Sequence, residues 1–214
     1  MMTQDLKHDA LGTTRLVNTG DDSFVERDTR TAHAALRWLA RRLAAREAAV
    51  LRRLAGEARV PRLLAFDGRV VRRTFLPGRP LHEAQPRSRA YFIDALRVLR
   101  RLHRLGIAHN DLAKEANWLV TSGDACAIVD FQLATHASAR TARFRRHAYE
   151  DLRHLLKHKR TYQPKHLTAR QLRVLARPTW PTRLWRGLVK PPYHFVTRVV
   201  LRWPERAGPI ERKG

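Results

Sequence analysis

The sequence predicts an α+β fold of two lobes, a reduced N-terminal lobe of strands plus one long helix and a mostly helical C-terminal lobe. Three observations carry this. Two strand–turn–strand patterns, within 13–27 and 60–78, flank a long amphipathic stretch at 31–55. A second amphipathic stretch fills 88–105. Beyond a short polar loop and a hairpin, helical periodicity returns from 148 to 177. The expected organisation is an N-lobe over 1–78, a helical lobe over 79–177 and a basic aromatic segment over 178–214.

Taken in order, residues 1–30 are polar and short of periodicity, with "TTRLV" (13–17) and "SFVER" (23–27) as two strands turned by "NTGDD". In the long helix, Leu36, Leu39, Leu43, Ala44, Val50, Leu51 and Leu54 recur at helical spacing, and Gly56 follows as a C-cap. "VPRLLAFDGRVVRRTFLPG" (60–78) reads as two strands about an Asp67-Gly68 turn, ended by Pro77-Gly78. Ser88 caps the second helix and Gly106 stops it. "NWLVTSGDACAIVDF" reads as a hairpin, strands 118–121 and 126–129 around Ser122-Gly123-Asp124. Helices follow at 148–159 and 168–177, the latter opened by a Thr168/Gln171 capping box.

Composition bounds the chemistry. The 214 residues carry 43 Lys+Arg against 19 Asp+Glu, a net charge of +24. Such a charge favours nucleic acid, phosphorylated ligands or an acidic membrane surface. A GC-rich coding genome would produce the same arginine excess with no partner implied. One cysteine, Cys126, allows no internal disulfide and suits a reducing compartment. With no apolar run of ~18 residues and no signal-like N-terminus, the expectation is a cytoplasmic protein, peripheral at most on the inner membrane face. His103, His154 and His158 form no metal-ligand pattern and are expected at the surface or core edge. Trp180, Trp185, Tyr193, Phe195 and Trp203 alternate with arginines near the C-terminus. They either pack on the helical lobe, the favoured role since exposed aromatics are costly, or dock on anionic lipid.

The polar loop is where the chemistry concentrates. Phosphoryl transfer needs hard oxygen ligands for magnesium, a carboxylate to orient a hydroxyl, and a cation at the phosphate. Asp111 lies before the hairpin, Asn117 at its start and Asp130 at its end. A tight hairpin brings its ends together, so Asn117 and Asp130 can share a metal, with Asp111 a few residues away and Lys114 between.

"IAHNDLAKEANWLV" (107–120) and "AIVDFQLA" (127–134) resemble the catalytic loop and metal motif of the protein-kinase-like superfamily. They are similar above all to small bacterial kinases related to the RIO kinases and to lipopolysaccharide (Kdo or heptose) kinases. The resemblance implies ATP and Mg²⁺ as cofactors, Asp111 as base, and Asn117 and Asp130 as metal ligands. It makes His109 a packing residue and Asp151 a buried acid bracing the loop. Lys114 takes the place of the phosphate-facing lysine. The 13-residue step from Asn117 to Asp130 matches the family. The step from Asp111 to Asn117 is one residue longer than usual, and Gln132 replaces the glycine after Phe131. Upstream, Arg27 stands for the lysine that holds the α/β-phosphates and pairs with a helix glutamate, here Glu47. Leu76, in "FLPGRPL", stands where adenine meets backbone. A glycine-rich loop is lacking.

The reading is a serine/threonine kinase-like phosphotransferase acting on a hydroxyl-bearing acceptor. A lipid-linked sugar at the inner membrane face is the rival acceptor. The rival class is a pseudokinase that binds RNA or membrane through its charge.

Overall fold

The computed structural model describes residues 2–20 and 22–177. It is a mixed α/β molecule with a β-sheet N-terminal part and a helical C-terminal part. The first part is a five-stranded antiparallel sheet of β1 (Met2–Asp9), β2 (Gly12–Thr19), β3 (Asp22–Asp28), β4 (Leu63–Phe66) and β5 (Val70–Thr74) in the order β1-β2-β3-β5-β4. Between β3 and β4 runs α1 (Arg37–Arg53), entered through a 3-10 turn at Ala34–Leu36.

Strand β1 was not expected. It is an edge strand exposed on both faces up to Asp9, so it has no buried side to imprint an alternation on its sequence. Its hairpin with β2 closes at Gly12, whose φ of +121° and close approach exclude a side chain: a Cβ there would meet the Asp28 carbonyl oxygen at 2.3 Å. The first helix begins later than its apolar pattern, because His33 donates its backbone N–H to Ala10 of the β1–β2 turn at 3.1 Å and holds the chain extended.

The second part opens with β6 (Arg79–Pro80) and a single turn, α2 (Leu81–Ala84). Then come α3 (Arg89–Arg104), β7 (Ile107–Ala108), β8 (Trp118–Thr121), β9 (Ala125–Ile128), β10 (Thr135–His136), α4 (Ala142–Tyr162) and α5 (Ala169–Ala176). Ser88 caps α3, and Thr168 with Gln171 forms a capping box at α5. Helix α4 extends at both ends beyond the expected 148–159. Its N-terminus is set by Thr141, whose hydroxyl accepts the Phe144 amide. The hairpin β8–β9 pairs Trp118 with Ile128 and Thr121 with Ala125.

One core runs through both parts. Val50, Leu51 and Leu54 at the end of α1 share a buried cluster with Tyr91, Leu99, Trp118, Ile128, Phe131 and Leu155. Trp118 is fully buried and its indole N–H is satisfied by the Leu112 carbonyl at 3.0 Å. No helix among the described residues is long and apolar enough to cross a membrane. The aromatic segment 178–214 lies outside the described residues.

Candidate active site

The loop between β7 and β8 is held from behind by α4. Asp151, 1% exposed, accepts the backbone N–H of His109 at 2.7 Å and of Asn110 at 2.9 Å. His158 bonds the Leu112 carbonyl at 2.8 Å through Nε2, and the Tyr162 hydroxyl donates to Glu115 at 2.7 Å. His158 is therefore core rather than surface or core edge, at 1% exposure, because the loop carbonyl needs its ring N–H. His109 donates Nε2–H to the Val129 carbonyl at 3.0 Å and accepts from the Asp111 amide at Nδ1, 3.3 Å. Both ring nitrogens are thus used by a neutral imidazole. Its ring packs on Phe131 with centroids 4.7 Å apart.

Asn110 adopts a left-handed conformation, φ 67°, which asparagine tolerates better than most residues. Its amide donates to the Leu133 carbonyl at 2.9 Å and so ties the loop to the segment after Asp130. With the backbone held on both sides, Asp111 projects with one oxygen engaged twice. Lys114 Nζ lies 2.6 Å from Oδ2, and Asn117 Nδ2 donates to the same oxygen at 3.2 Å. Asn117 Nδ2 also reaches the Asp111 carbonyl at 2.9 Å, which leaves the Asn117 side-chain carbonyl as its free donor atom. Burial opposes the Lys114 charge, but contact with Asp111, helped by Asp130 and Asp9, leaves its pKa raised.

The longer step from Asp111 to Asn117 has a physical accommodation. A 3-10 turn at Glu115–Asn117 takes up the length and turns Glu115 inward, to 4% exposure, against His158 and Tyr162. Asp130 is brought back beside this loop by the hairpin, whose Val129 amide donates to the Asn117 carbonyl at 3.1 Å. It too is left-handed, φ 69°, a conformation aspartate adopts more readily than most residues.

The sheet supplies the other half. Arg27 on β3 and Arg73 on β5 lie on the sheet face toward α1, 3% and 8% exposed, with Glu47 of α1 fully buried between them. Glu47 does not pair with Arg27 as expected. Glu47 Oε1 is 2.8 Å from Arg73 Nη1, whereas Arg27 acts on Glu47 and Asp130 only through the field of its charge. The Arg73 contact is close without hydrogen-bond geometry, so both Glu47 oxygens and Arg27 Nη1 stay buried without a hydrogen bond. Burial pushes the Glu47 pKa up against the pull of Arg73, and burial pushes that of Arg27 down.

Arg73, Glu115 and Asn110 were missed in the sequence. Arg73 was the findable one, since it stands two residues after fully buried Val71 on one strand, and a charge on a buried face needs a reason. Leu76 lies half-buried on the connector after β5.

Arg27 Nη1, both Glu47 oxygens, Arg73 Nη1 and Asp130 Oδ1 are buried without hydrogen bonds. Glu47 and Arg73 neutralise each other as an ion pair at 2.8 Å, so Arg27 Nη1 and Asp130 Oδ1 are the buried polar atoms that a charged ligand could satisfy. Among the described residues no three His, Cys, Asp or Glu side chains converge as a metal site. A cation held here would have the Asp130 carboxylate and the Asn117 side-chain carbonyl from the protein. That sparse oxygen set fits magnesium, which completes its shell with phosphates and water.

Comparison with known proteins agrees with this architecture. The RIO domain family matches residues 13–171. No curated protein matches the chain. Among solved structures, the fold is similar to that of Rio2 kinase from Chaetomium thermophilum in an ADP/Mg²⁺-phosphoaspartate complex, with a TM-score of 0.55 and 16% identity. The match covers 74% of this chain and 54% of that one, so the chain spans about half the length of that kinase.

Proposed function

The chain belongs to the RIO-domain family, and from that premise we propose that it transfers the γ-phosphoryl group of ATP to a serine or threonine hydroxyl. One observation carries the reading. Lys114 and Asn117 meet on a single oxygen of Asp111, and the hairpin returns Asp130, with a buried unpartnered oxygen, next to Asn117.

In this reading residues 1–78 cover the nucleotide and 79–177 present the acceptor. Asp111 Oδ2 is occupied by Lys114 and Asn117, so Oδ1 orients the acceptor hydroxyl and receives its proton as the oxygen attacks. Lys114 follows the negative charge from Asp111 to the transferring phosphate. Arg27, released from Glu47 by Arg73, faces the α/β-phosphates. Leu76 offers backbone to adenine. Magnesium, held by Asn117 and Asp130, would neutralise the phosphate oxygens.

Incubation with γ-labelled ATP and Mg²⁺, wild type beside Asp111→Asn, offered total protein and a lipid extract, tests this. Label should enter protein with wild type and fall at least ~100-fold in the variant, with thermal unfolding little changed. Label in lipid would make the acceptor a lipid-linked sugar. Label on the chain itself that hydroxylamine removes would be an aspartyl phosphate, the species named in the Rio2 complex, rather than a serine ester. A second reading has a specific basis in arginine at position 27 and a β1–β2 turn, Asp9-Ala10-Leu11-Gly12, that is not glycine-rich. It is a nucleotide-binding scaffold, and nucleotide binding without transfer to any fraction would select it.

A further inference from the structure

Away from the nucleotide cleft, α3 and α4 leave between them a groove of about 430 Å³. Leu99, Phe144 and Leu152 give it an apolar floor, with Leu99 1% and Phe144 7% exposed. Arg100, Arg104, Arg140 and Arg145 line it as exposed guanidiniums, and no acidic side chain lines it. The scarce carboxylates nearby are committed to other arginines, Glu57 to Arg101, Asp94 to Arg59 and Glu150 to Arg153. Arg100, Arg104 and Arg140 have no acidic partner among the described residues. Helix α4 also begins with Arg143, Arg145 and Arg146 near its N-terminus and no acidic residue in its first turn. Cations at the positive end of a helix dipole are unfavourable, and an arriving carboxylate would relieve them.

We propose that this groove docks an acidic peptide segment carrying a large apolar side chain, the side chain on the Leu99–Phe144–Leu152 floor and the carboxylates on the arginine rim. Charge complementarity favours this occupant over the others. Residues 178–214 hold eight Lys and Arg against two glutamates, and the whole chain is +24, so neither that segment nor a second copy complements the rim. A lipid surface needs apolar groups that protrude, and here they lie at the bottom of a recess. Single-stranded nucleic acid needs exposed rings to stack on. Phe144 is buried, and the Tyr149 hydroxyl is tied to the Val174 and Arg177 carbonyls at 3.2 and 3.0 Å. The proposal does not depend on phosphoryl transfer.

Fluorescence anisotropy on the full chain tests it, with a labelled peptide of glutamates around one phenylalanine. Arg100→Ser/Arg104→Ser/Arg140→Ser should weaken binding roughly tenfold, three rim charges at the worth of a surface pair each. Arg37→Ser/Arg41→Ser/Arg42→Ser, the same charge removed from exposed positions of α1, should leave the affinity within about twofold. Replacing the peptide phenylalanine with serine should also weaken binding. Equal losses from the two triple variants would reduce the effect to net charge and overturn the proposal. So would indifference to the phenylalanine, or a stronger dependence on the groove arginines for phosphatidylglycerol vesicles or oligo(U) than for the peptide.

Discussion

Glu47 lies near two guanidiniums but contacts only one, Arg73 at 2.8 Å, while Arg27 keeps a buried, unbonded Nη1. That asymmetry decides what each arginine does. Arg73 neutralises Glu47, and in the proposed function Arg27 keeps its charge for the nucleotide. Arg73→Gln should therefore do more than remove a pair. Glu47 turns to Arg27, and calorimetric affinity for Mg·ATP falls, by roughly tenfold for ~1.4 kcal/mol of diverted charge. Breaking a buried ion pair costs about 3–5 kcal/mol when the remaining charge is stranded. With Arg27 as substitute partner the thermal destabilisation should be smaller. Adding Glu47→Gln frees Arg27 again, so the double variant should bind Mg·ATP better than Arg73→Gln alone. A double variant as weak as the single one would mean that Arg73 does not govern Arg27. Absent binding by the wild type would sink the nucleotide reading instead.

Among the elements, α4 works as a ruler for the loop between β7 and β8. Asp151, His158 and Tyr162 fall on one helical stripe; Asp151 meets His109 and Asn110, His158 meets Leu112 and Tyr162 meets Glu115, in loop order. The apolar part of that face, Leu152, Leu155 and Leu156, was legible in the sequence. The Asp151 brace was expected from the family resemblance; the contacts of His158 and Tyr162 were not, because a histidine or tyrosine that satisfies a loop group has the same local pattern as one facing water. The juxtaposition of Asp111, Asn117 and the hairpin end before Asp130 was legible because its spacing is local, whereas Arg73 reaches Glu47 through strand pairing across forty-six residues from Arg27. Helix α4 also makes a pH prediction. Burial, with Lys157 and His158 nearby, pushes the His154 pKa down to about 3 from 6.5. The folded state thus keeps His154 neutral while the unfolded chain takes up a proton below 6.5. Stability is full above that pH and falls as pH drops toward 3, by on the order of 1 kcal/mol per unit. His154→Gln should flatten the urea midpoint between pH 6.5 and 4. It should not abolish the slope, since burial also lowers His147. An unchanged slope would assign the acid sensitivity to other groups.

For the whole molecule, the two parts differ in their elements but are joined by one buried cluster, while Val17, Val25 and Val71 of the sheet lie outside it. The end of α1 belongs to the same buried cluster as α3, β8, β9 and α4. Apolar contacts that bridge both parts make their stabilities inseparable, so the described residues should unfold as one unit. Cys126 is a built-in reporter of that unit. It is the only cysteine, fully buried on β9 with its amide bonded to Asp94 at 2.8 Å, and burial pushes its thiol up to about 12. A thiol both inaccessible and protonated does not react. Native protein should therefore resist a thiol-specific reagent, and in rising urea the labelled fraction should climb with the same midpoint as the loss of far-UV helical signal. Saturating Mg·ATP should move both midpoints upward together, because a ligand held between the sheet and the catalytic loop stabilises whatever unfolds with them. Separate midpoints, with helix lost while Cys126 stays protected, would mean that α1 and its sheet detach before the helical part. The shared core would then be too weak to couple the halves of the cleft.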